Sequence, residues 1–315
     1  MINFYTTTNS KLEQLESVET ACWINVTPPI SPEEIEYLSD TFQIPQDFLT
    51  DPLDIDERAR YEKDEEVKLI VINTPVLNDG FRNDEAIFIT IPIGLILIDH
   101  RIITITNSDN TIIEQFIDNK VKNVNTNDIG LFVLQIFEQN VIRFLSCLKK
   151  LNLKRNLLEK ELYDSSRNQD LQQLLSIQKS LIYFVNSLSA NELLKMKIKR
   201  SDLLSVKDND DKMELLEDLI IDNSQALAMS NIYTNILSST METYSSIISN
   251  NLGMIMQRLT LITIILMVPT LVSSFFGMNV PVPMHENNFS FLYIFLGSIL
   301  MSVALAFFFR RKRLL

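Results

Sequence analysis

Near the C terminus, one face of a long predicted helix carries side chains that could contact a metal cation. Counted back from Gly277 in steps of three and four, the positions are small, hydroxyl-bearing, thioether or acidic. They are Ser274, Thr270, Met267, Thr263, Thr260, Met256, Gly253, Ser249, Ser246 and Glu242. Magnesium prefers oxygen ligands and gives up its water reluctantly, so this polar stripe, shared by several copies around an axis, would suit a hydrated cation. Small and hydroxyl residues also favour close helix packing in lipid, and that alternative stays open.

The other residues that commonly carry chemistry are scattered. Cys22 and Cys147 are far apart and outside any CxxC spacing, so neither a disulfide nor a zinc site is expected. His100 and His285 are isolated, and neither a P-loop nor a nucleophile, histidine and acid constellation is present. We therefore expect a protein that is not an enzyme and has no organic cofactor.

Two uncharged runs, 259–278 and 289–309, are each long enough to cross a bilayer. At about 1.5 Å per residue, a helix of about 20 residues spans the roughly 30 Å hydrocarbon core. The alternative is a buried helix of a soluble protein, but such helices rarely continue for about 20 residues without a charge. The sequence therefore predicts two transmembrane helices.

The charges that flank these runs predict their orientation. The tail after residue 309 is RRKRLL, whereas the connection 279–288 contains no Lys or Arg and one acid, Glu286. Because basic flanks face the cytoplasm, we predict a multi-pass protein of the cell membrane with both termini inside. Residues 1–10 contain neither a basic start nor an apolar stretch, so no signal peptide is expected.

The net charge of −12 is unevenly distributed. From Arg258 onward there are five basic residues and one acidic residue, so the preceding 257 residues carry −16. A surface of that sign repels nucleic acid phosphates and attracts cations. Divalent cations and membrane lipid are therefore the expected partners, and nucleic acid is not.

The N-terminal part has the pattern of an α/β domain. Segments 65–77, 85–100 and 101–107 are rich in Val, Ile and Thr, which predicts strands. Ser31, followed by Pro32 and then by Glu34 three residues after the serine, is typical of a helix start. Strands and helices in one segment indicate the α/β class.

Beyond residue 127 the sequence favours long helices. The last of them starts near Met213, after a polar break at 201–212, and continues to Phe276, a length of roughly 90 Å. Such a helix cannot pack along one small domain, so copies of the chain are its simplest neighbours. We expect an α+β membrane protein with a cytoplasmic α/β domain (1–126), a helical stalk (127–257), a first transmembrane helix (258–278), an extracellular loop (279–288), a second transmembrane helix (289–309) and a basic tail (310–315).

The motif FFGMN at 275–279 resembles the signature of the CorA family of magnesium and cobalt transporters. It directly follows the first of two C-terminal hydrophobic runs. The resemblance includes MQRLT at 256–260, SLIYFVNSL at 180–188, a proline within the first span and the order of segments over essentially the full chain. Membership would imply a funnel-shaped homopentamer in which the first span lines a pore and the second lies outside it.

The resemblance also implies roles for single residues. Gly277, Met278 and Asn279 would form an outer selectivity motif, where a ring of Asn oxygens receives a hydrated ion. Glu286 is similar to an acidic loop residue that attracts cations to the entrance. The hydrophobic gate positions would be Met256, Leu259 and Met267. A polar pore position would be Thr270.

Regulation by the transported ion is a further implication of the resemblance. Cytoplasmic Mg²⁺ would bridge Asp51 and Asp218 of adjacent subunits and close the pore, so Mg²⁺ would be both transported and regulatory. This sequence departs from the family pattern at Thr50, where a second acid is common, and at Gly253, where an Asn commonly guards the inner mouth. The first departure puts a two-ion sensor in doubt, and the second bears on inner selectivity.

The expected function is passive uptake of magnesium, with cobalt and nickel as further candidate ions, driven by the membrane potential. A zinc transporter of the same architecture is one alternative, and Met278 favours magnesium over that branch. A membrane-anchored scaffold or sensor without transport is an alternative from another class.

Overall fold

The computed structural model describes residues 1–8, 11–17, 22–78, 80, 85–164, 168–278 and 289–312. The chain divides into two compact units, Met1–Thr240 and Met241–Leu315. The expected loop 279–288, with Asn279 and Glu286, lies outside the described residues, as does the end of the basic tail.

The first unit is built on a seven-stranded mixed sheet. Its strands are β1 (Ile2–Thr8), β2 (Lys11–Leu15), β3 (Trp23–Val26), β4 (Arg60–Asp64), β5 (Val67–Leu77), β6 (Phe88–Ile98) and β7 (Arg101–Ile105). The spatial order is β2-β1-β3-β7-β6-β5-β4, and β3 and β7 pair in parallel while the other neighbours are antiparallel. The three strands predicted from β-branched runs are confirmed as β5, β6 and β7.

Seven α-helices accompany this sheet in the described part of the chain. They are α1 (Pro32–Phe42), α2 (Gln46–Thr50), α3 (Thr111–Ile117), α4 (Ile129–Asp164), α5 (Asn168–Ser201), α6 (Asp210–Phe276) and α7 (Ser290–Arg311). The predicted start of α1 is confirmed by a capping box, because the Glu34 amide donates to Ser31 Oγ at 3.2 Å and the Ser31 amide donates to Glu34 Oε2 at 2.9 Å.

Alternation along the central strands produces a hydrophobic core on each face of the sheet. On β5, Leu69 and Val71 contribute to the core shared with α1 and α2, whereas Ile70 and Ile72 contribute to the core shared with α3, α4, α5 and the start of α6. The helices α4 and α5 therefore form a layer on the sheet, within the same compact unit as the strands. The composition change near residue 127 separates strands from long helices but does not separate two units.

Among the described residues, three helices are long and apolar enough to cross a membrane, namely α4, α6 and α7. In α4, 61% of the most apolar window is buried inside the protein, against 6% in the corresponding windows of α6 and α7. The apolar residues of α4 thus belong to the core, while those of α6 and α7 remain available to lipid. At 67 residues, α6 is about 100 Å long, slightly longer than predicted.

A buried lysine joins the three long helices of the first unit. Lys195 of α5 is fully buried; its Nζ donates to Asn223 Oδ1 of α6 at 2.7 Å and lies 5.7 Å from the Phe137 ring centre of α4. Asn223 in turn donates to the Leu188 carbonyl of α5 at 2.9 Å. Burial lowers the pKa of Lys195 to about 7, although the nearby Glu192 acts in the opposite direction.

This lowered pKa predicts that Lys195 weakens the fold near neutral pH. Between the folded pKa of about 7 and the ordinary value of 10.5, the unfolded chain binds more protons than the folded one, so stability rises with pH. We expect the unfolding free energy of wild type, relative to Lys195→Met, to increase by about 2 kcal/mol from pH 7 to pH 9. Urea unfolding in detergent, followed through the fluorescence of the buried Trp23, measures this difference. Parallel stability curves for the two proteins would show that Lys195 does not titrate in this range.

Candidate ion pathway and regulatory site

In the second unit, one face of α6 packs against α7. Leu261 is buried, and Ile265, Val268 and Val272 on the same face are half-buried. At the level of Ile265, the Ser302 hydroxyl of α7 lies 3.3 Å from the Ile265 carbonyl oxygen of α6 and shares its proton between that oxygen and the Ser298 carbonyl of α7 at 3.1 Å. This contact shows which side of α6 is covered by α7.

The polar stripe lies on the opposite side of α6. At about 100° per residue, the mean direction of Thr260, Thr263, Met267, Thr270 and Ser274 is roughly 150° from that of the face packed on α7. All five side chains are exposed in the single chain. The remaining members and gate positions on this helix are also exposed, namely Glu242, Ser246, Ser249, Gly253, Met256, Leu259 and Gly277. The stripe is therefore continuous, and α7 leaves it uncovered.

Three threonine hydroxyls of the stripe donate to their own helix. Thr260, Thr263 and Thr270 bond the carbonyl oxygens of the residues four positions earlier, at 2.9, 2.9 and 3.0 Å. Each proton is thus used internally, and the oxygen lone pairs remain as acceptors. Water bound to a cation directs its protons outward, so a row of acceptor oxygens matches a hydrated cation.

The helix end coincides with the first residues of the FFGMN motif. After α6 ends at Phe276, the Gly277 amide donates to the Ser273 carbonyl at 2.9 Å and the Met278 amide donates to the Phe275 carbonyl at 3.4 Å. Gly277 does not adopt a left-handed conformation, and Met278 is exposed. Asn279 follows directly in sequence but lies outside the described residues.

The departure at Gly253 is not imposed by packing in the single chain. A Cβ atom placed on Gly253 would meet nothing within 4 Å. The backbone there is helical and exposed, so an Asn side chain would fit without displacing a neighbour.

On the first unit, close packing against the sheet fixes the position of Asp51. This residue begins a 3₁₀ turn, Asp51–Leu53, directly after α2. The buried Pro52 ring lies over Gly94 of β6, where an added Cβ would be 2.5 Å from Pro52 Cγ. Only glycine at position 94 allows this approach, which holds Asp51 half-exposed beside the sheet. The neighbouring Thr50 hydroxyl donates to the Gln46 carbonyl of α2 at 3.1 Å.

The two predicted regulatory acids belong to different elements, because Asp51 begins the 3₁₀ turn and Asp218 lies on α6. Asp218 is exposed on α6, and the residues that the structure describes contain no group of three or more His, Cys, Asp or Glu side chains that could hold a metal. In the predicted regulatory site, Asp51 of one copy and Asp218 of the next would be the ligands.

One residue beside Asp51 was not predicted from the sequence. Arg60, at the start of β4, bonds Asp51 Oδ2 through Nη2 at 2.6 Å and Glu62 Oε2 through Nε at 3.2 Å, and it also pairs with Glu57. A signal was present, because Arg60 and Glu62 are two residues apart in a charged edge strand and so share a face. The contact with Asp51 depends on the 3₁₀ turn and could not be read from spacing.

The structure indicates a membrane-embedded protein. It combines a unit built on a sheet, the 67-residue helix α6, and the strongly apolar pair of α6 and α7, which has one polar face. The family model for the CorA-like Mg²⁺ transporter protein matches residues 18–311. The chain belongs to the CorA-like Mg²⁺ transporter family, and it is accordingly a membrane transport protein and not an enzyme.

Individual relatives agree with this assignment. The cobalt/magnesium transport protein CorA of Methanocaldococcus jannaschii is 26% identical over 295 residues, which cover 92% of this chain and 90% of the relative. The complete structure of the CorA magnesium transporter of that organism covers 99% of this chain and 98% of its own, with a TM-score of 0.80 and 24% identity. The structure of its soluble domain covers 77% of this chain and 95% of its own, with a TM-score of 0.67 and 25% identity.

Proposed function

We propose that the protein is a homopentameric channel for uptake of divalent cations, chiefly magnesium, with cobalt and nickel as further substrates. The name of the relative from M. jannaschii, which mentions cobalt and magnesium, supports this choice of ions. In the proposed topology the protein is a multi-pass protein of the cell membrane, with residues 1–257 and the tail 310–315 in the cytoplasm and 279–288 outside.

The observation that carries the proposal is the position of the polar stripe on α6. Since α7 covers the opposite face, the hydroxyl oxygens of the stripe would face hydrocarbon in a monomer, which is unfavourable. Copies of α6 arranged around an axis, with α7 outside, remove this cost and turn the same oxygens toward a water-filled path. The packing alternative explains small residues at a helix contact, but it does not require acceptor oxygens over several turns.

Along this path the residues take distinct roles. Gly277, Met278 and Asn279 form the outer selectivity motif, and Glu286 attracts cations to it. Rings of larger apolar side chains at Met256, Leu259 and Met267 form the gate, and hydroxyl rings separate them at Thr260, Thr263, Thr270 and Ser274. Glu242 forms an acidic ring in the stalk.

The membrane potential is sufficient to drive uptake along such a path. A divalent ion that enters a negative interior gains about 4.6 kcal/mol per 100 mV, twice the value for a single charge. The strongly acidic cytoplasmic part adds a favourable potential for cations at the inner end. No chemical energy source is required.

We further propose that cytoplasmic Mg²⁺ closes the channel by bridging Asp51 of one subunit and Asp218 of the next. Both carboxylates are at least partly exposed, as ligands shared between subunits must be. Bringing five such sets together costs electrostatic repulsion, which a divalent ion removes, so the closed state would depend on the ion. With Thr50 beside Asp51, we expect one ion per subunit pair.

Asp218→Ala is expected to raise the Mg²⁺ concentration that protects the cytoplasmic part from protease by about tenfold, since one ligand of the ion is lost. The measurement is limited proteolysis of the purified protein across a magnesium series. Asp40→Ala, which removes another exposed carboxylate from the same unit, is the matched control and should leave the series unchanged. Equal protection of wild type and Asp218→Ala would reject Asp218 as a main ligand.

The experiment that tests the proposed transport is ion competition in liposomes that contain the purified protein. Uptake of magnesium, reduced by cobalt and nickel and insensitive to an imposed pH gradient, supports the channel. Zinc uptake that follows the pH gradient would instead favour a proton-coupled zinc transporter. Absence of uptake for all four ions would favour a scaffold or sensor.

A further inference from the structure

Arg60 is the centre of a small charge network at the edge of the sheet. Its guanidinium contacts three carboxylates, Asp51 from the 3₁₀ turn, Glu57 from the following loop and Glu62 from β4. The Arg60 side chain is 29% exposed and that of Asp51 is 35% exposed, so the pair is only partly screened by water. One cation thus faces three anions, and the network as a whole keeps a net negative charge.

We propose that Arg60 is an internal competitor of Mg²⁺ for Asp51 and thereby sets the magnesium concentration at which the channel closes. The inference rests on the proposed regulatory role of Asp51. Nη2 of Arg60 lies 2.6 Å from Asp51 Oδ2 and so occupies one side of the oxygen that an ion would bind. When Mg²⁺ or its water shell binds that oxygen, the guanidinium must either leave or remain close to the ion with its positive charge. Both outcomes reduce the affinity of Asp51 for Mg²⁺.

The network makes this exchange easy to reverse. When Arg60 releases Asp51 it can keep its contacts with Glu57 and Glu62, so no charge is left without a partner. The planar guanidinium bonds several carboxylates at once through its separate N–H groups, which a lysine cannot reproduce. Loss of Asp51 from the network therefore costs Arg60 one hydrogen bond and not its whole environment.

The turn that carries Asp51 is unable to move away from Arg60 by itself. Pro52 is buried over Gly94, and Leu53 accepts a hydrogen bond from Asn107 at 3.2 Å. Competition is consequently confined to the two side chains. We therefore expect the exchange to change the side-chain contacts of Asp51 more than its backbone.

The test is the magnesium dependence of protease protection in the purified full-length protein at constant ionic strength. Arg60→Gln should lower the half-protecting Mg²⁺ concentration by about twofold to fivefold, the range for loss of a partly exposed ion pair. Arg60→Lys keeps a charge without the planar fork and should produce a smaller decrease in the same direction. Lys63→Gln is the control: it removes a positive charge from the same strand, β4, and should leave the half-protecting Mg²⁺ concentration unchanged. Trp23 fluorescence checks that each variant is folded.

A second set of variants separates this inference from the regulatory role on which it rests. Asp51→Asn should raise the half-protecting concentration, and Arg60→Gln should have no further effect in that background because nothing is left to compete for. If Asp51→Asn raises the concentration but neither Arg60 variant lowers it, the competitor role is wrong and the sensor stands. If Asp51→Asn behaves as wild type, Asp51 is not a ligand, and both the sensor assignment and this inference are rejected.

Discussion

Magnesium influx through Ser274→Cys is expected to fall on the order of tenfold after a positively charged thiol reagent is added from outside, as for a group placed in a narrow pore. Ser274 lies on the polar stripe, directly before the FFGMN motif and about one helical turn before Gly277. Serine and cysteine have nearly the same shape, so the substitution alone should leave influx largely intact. The background carries Cys22→Ser and Cys147→Ala, which remove the two native thiols.

Phe275→Cys is the matched control. This side chain is 60% exposed, but it is turned by about 100° from Ser274 and lies toward the covered side of the helix. In the proposed pentamer it faces lipid, where a charged reagent neither reaches the thiol efficiently nor blocks a path. Equal inhibition of both variants, or of neither, would contradict the assignment of the stripe to the pore.

Asn279→Ala is expected to abolish magnesium influx, with a loss of at least about tenfold. The amide oxygen is the part of the FFGMN motif that can accept protons from water bound to an incoming ion, and alanine has no such acceptor. A ring of five lost acceptors removes the first site that replaces bulk water around the ion. Stopped-flow uptake with a magnesium-sensitive dye measures the change.

Asn288→Ala provides the control for this second prediction, because it removes an amide from the same connection but outside the motif. It should retain most of the influx. The far-ultraviolet circular dichroism and oligomer size of Asn279→Ala should match those of wild type. Normal influx through Asn279→Ala would be evidence against the selectivity role and for a non-transporting function.

The elements that could be predicted from sequence are those in which one local pattern dominates. β5, β6 and β7 are continuous β-branched runs, and Ser31 with Glu34 forms the capping box that its spacing predicts. The strands β1 to β4 were not predicted. Of these, β2 and β4 are five-residue, largely polar segments at a sheet edge, KLEQL and RYEKD, and β3 has only four residues. Their pairing depends on neighbours that are distant in sequence, which periodicity does not reveal.

The long helices show the same limit. An apolar window is also present in α4, and the sequence alone does not say that the sheet covers it, since burial depends on tertiary packing. The polar stripe was visible from steps of three and four residues, but its position opposite α7 required the contact between Ser302 and Ile265. The link between Arg60 and Asp51 likewise depends on the turn held by Pro52 and Gly94.

In the proposed function, this chain alone forms a path through which voltage drives magnesium. The most direct test of this function is magnesium uptake into liposomes whose only protein is the purified chain. The liposomes are loaded with a magnesium-sensitive dye, and a potassium gradient with valinomycin imposes a negative interior potential. We expect uptake that increases with the imposed potential and stops when the potential is collapsed. Uptake no faster than in protein-free liposomes at every potential would contradict it.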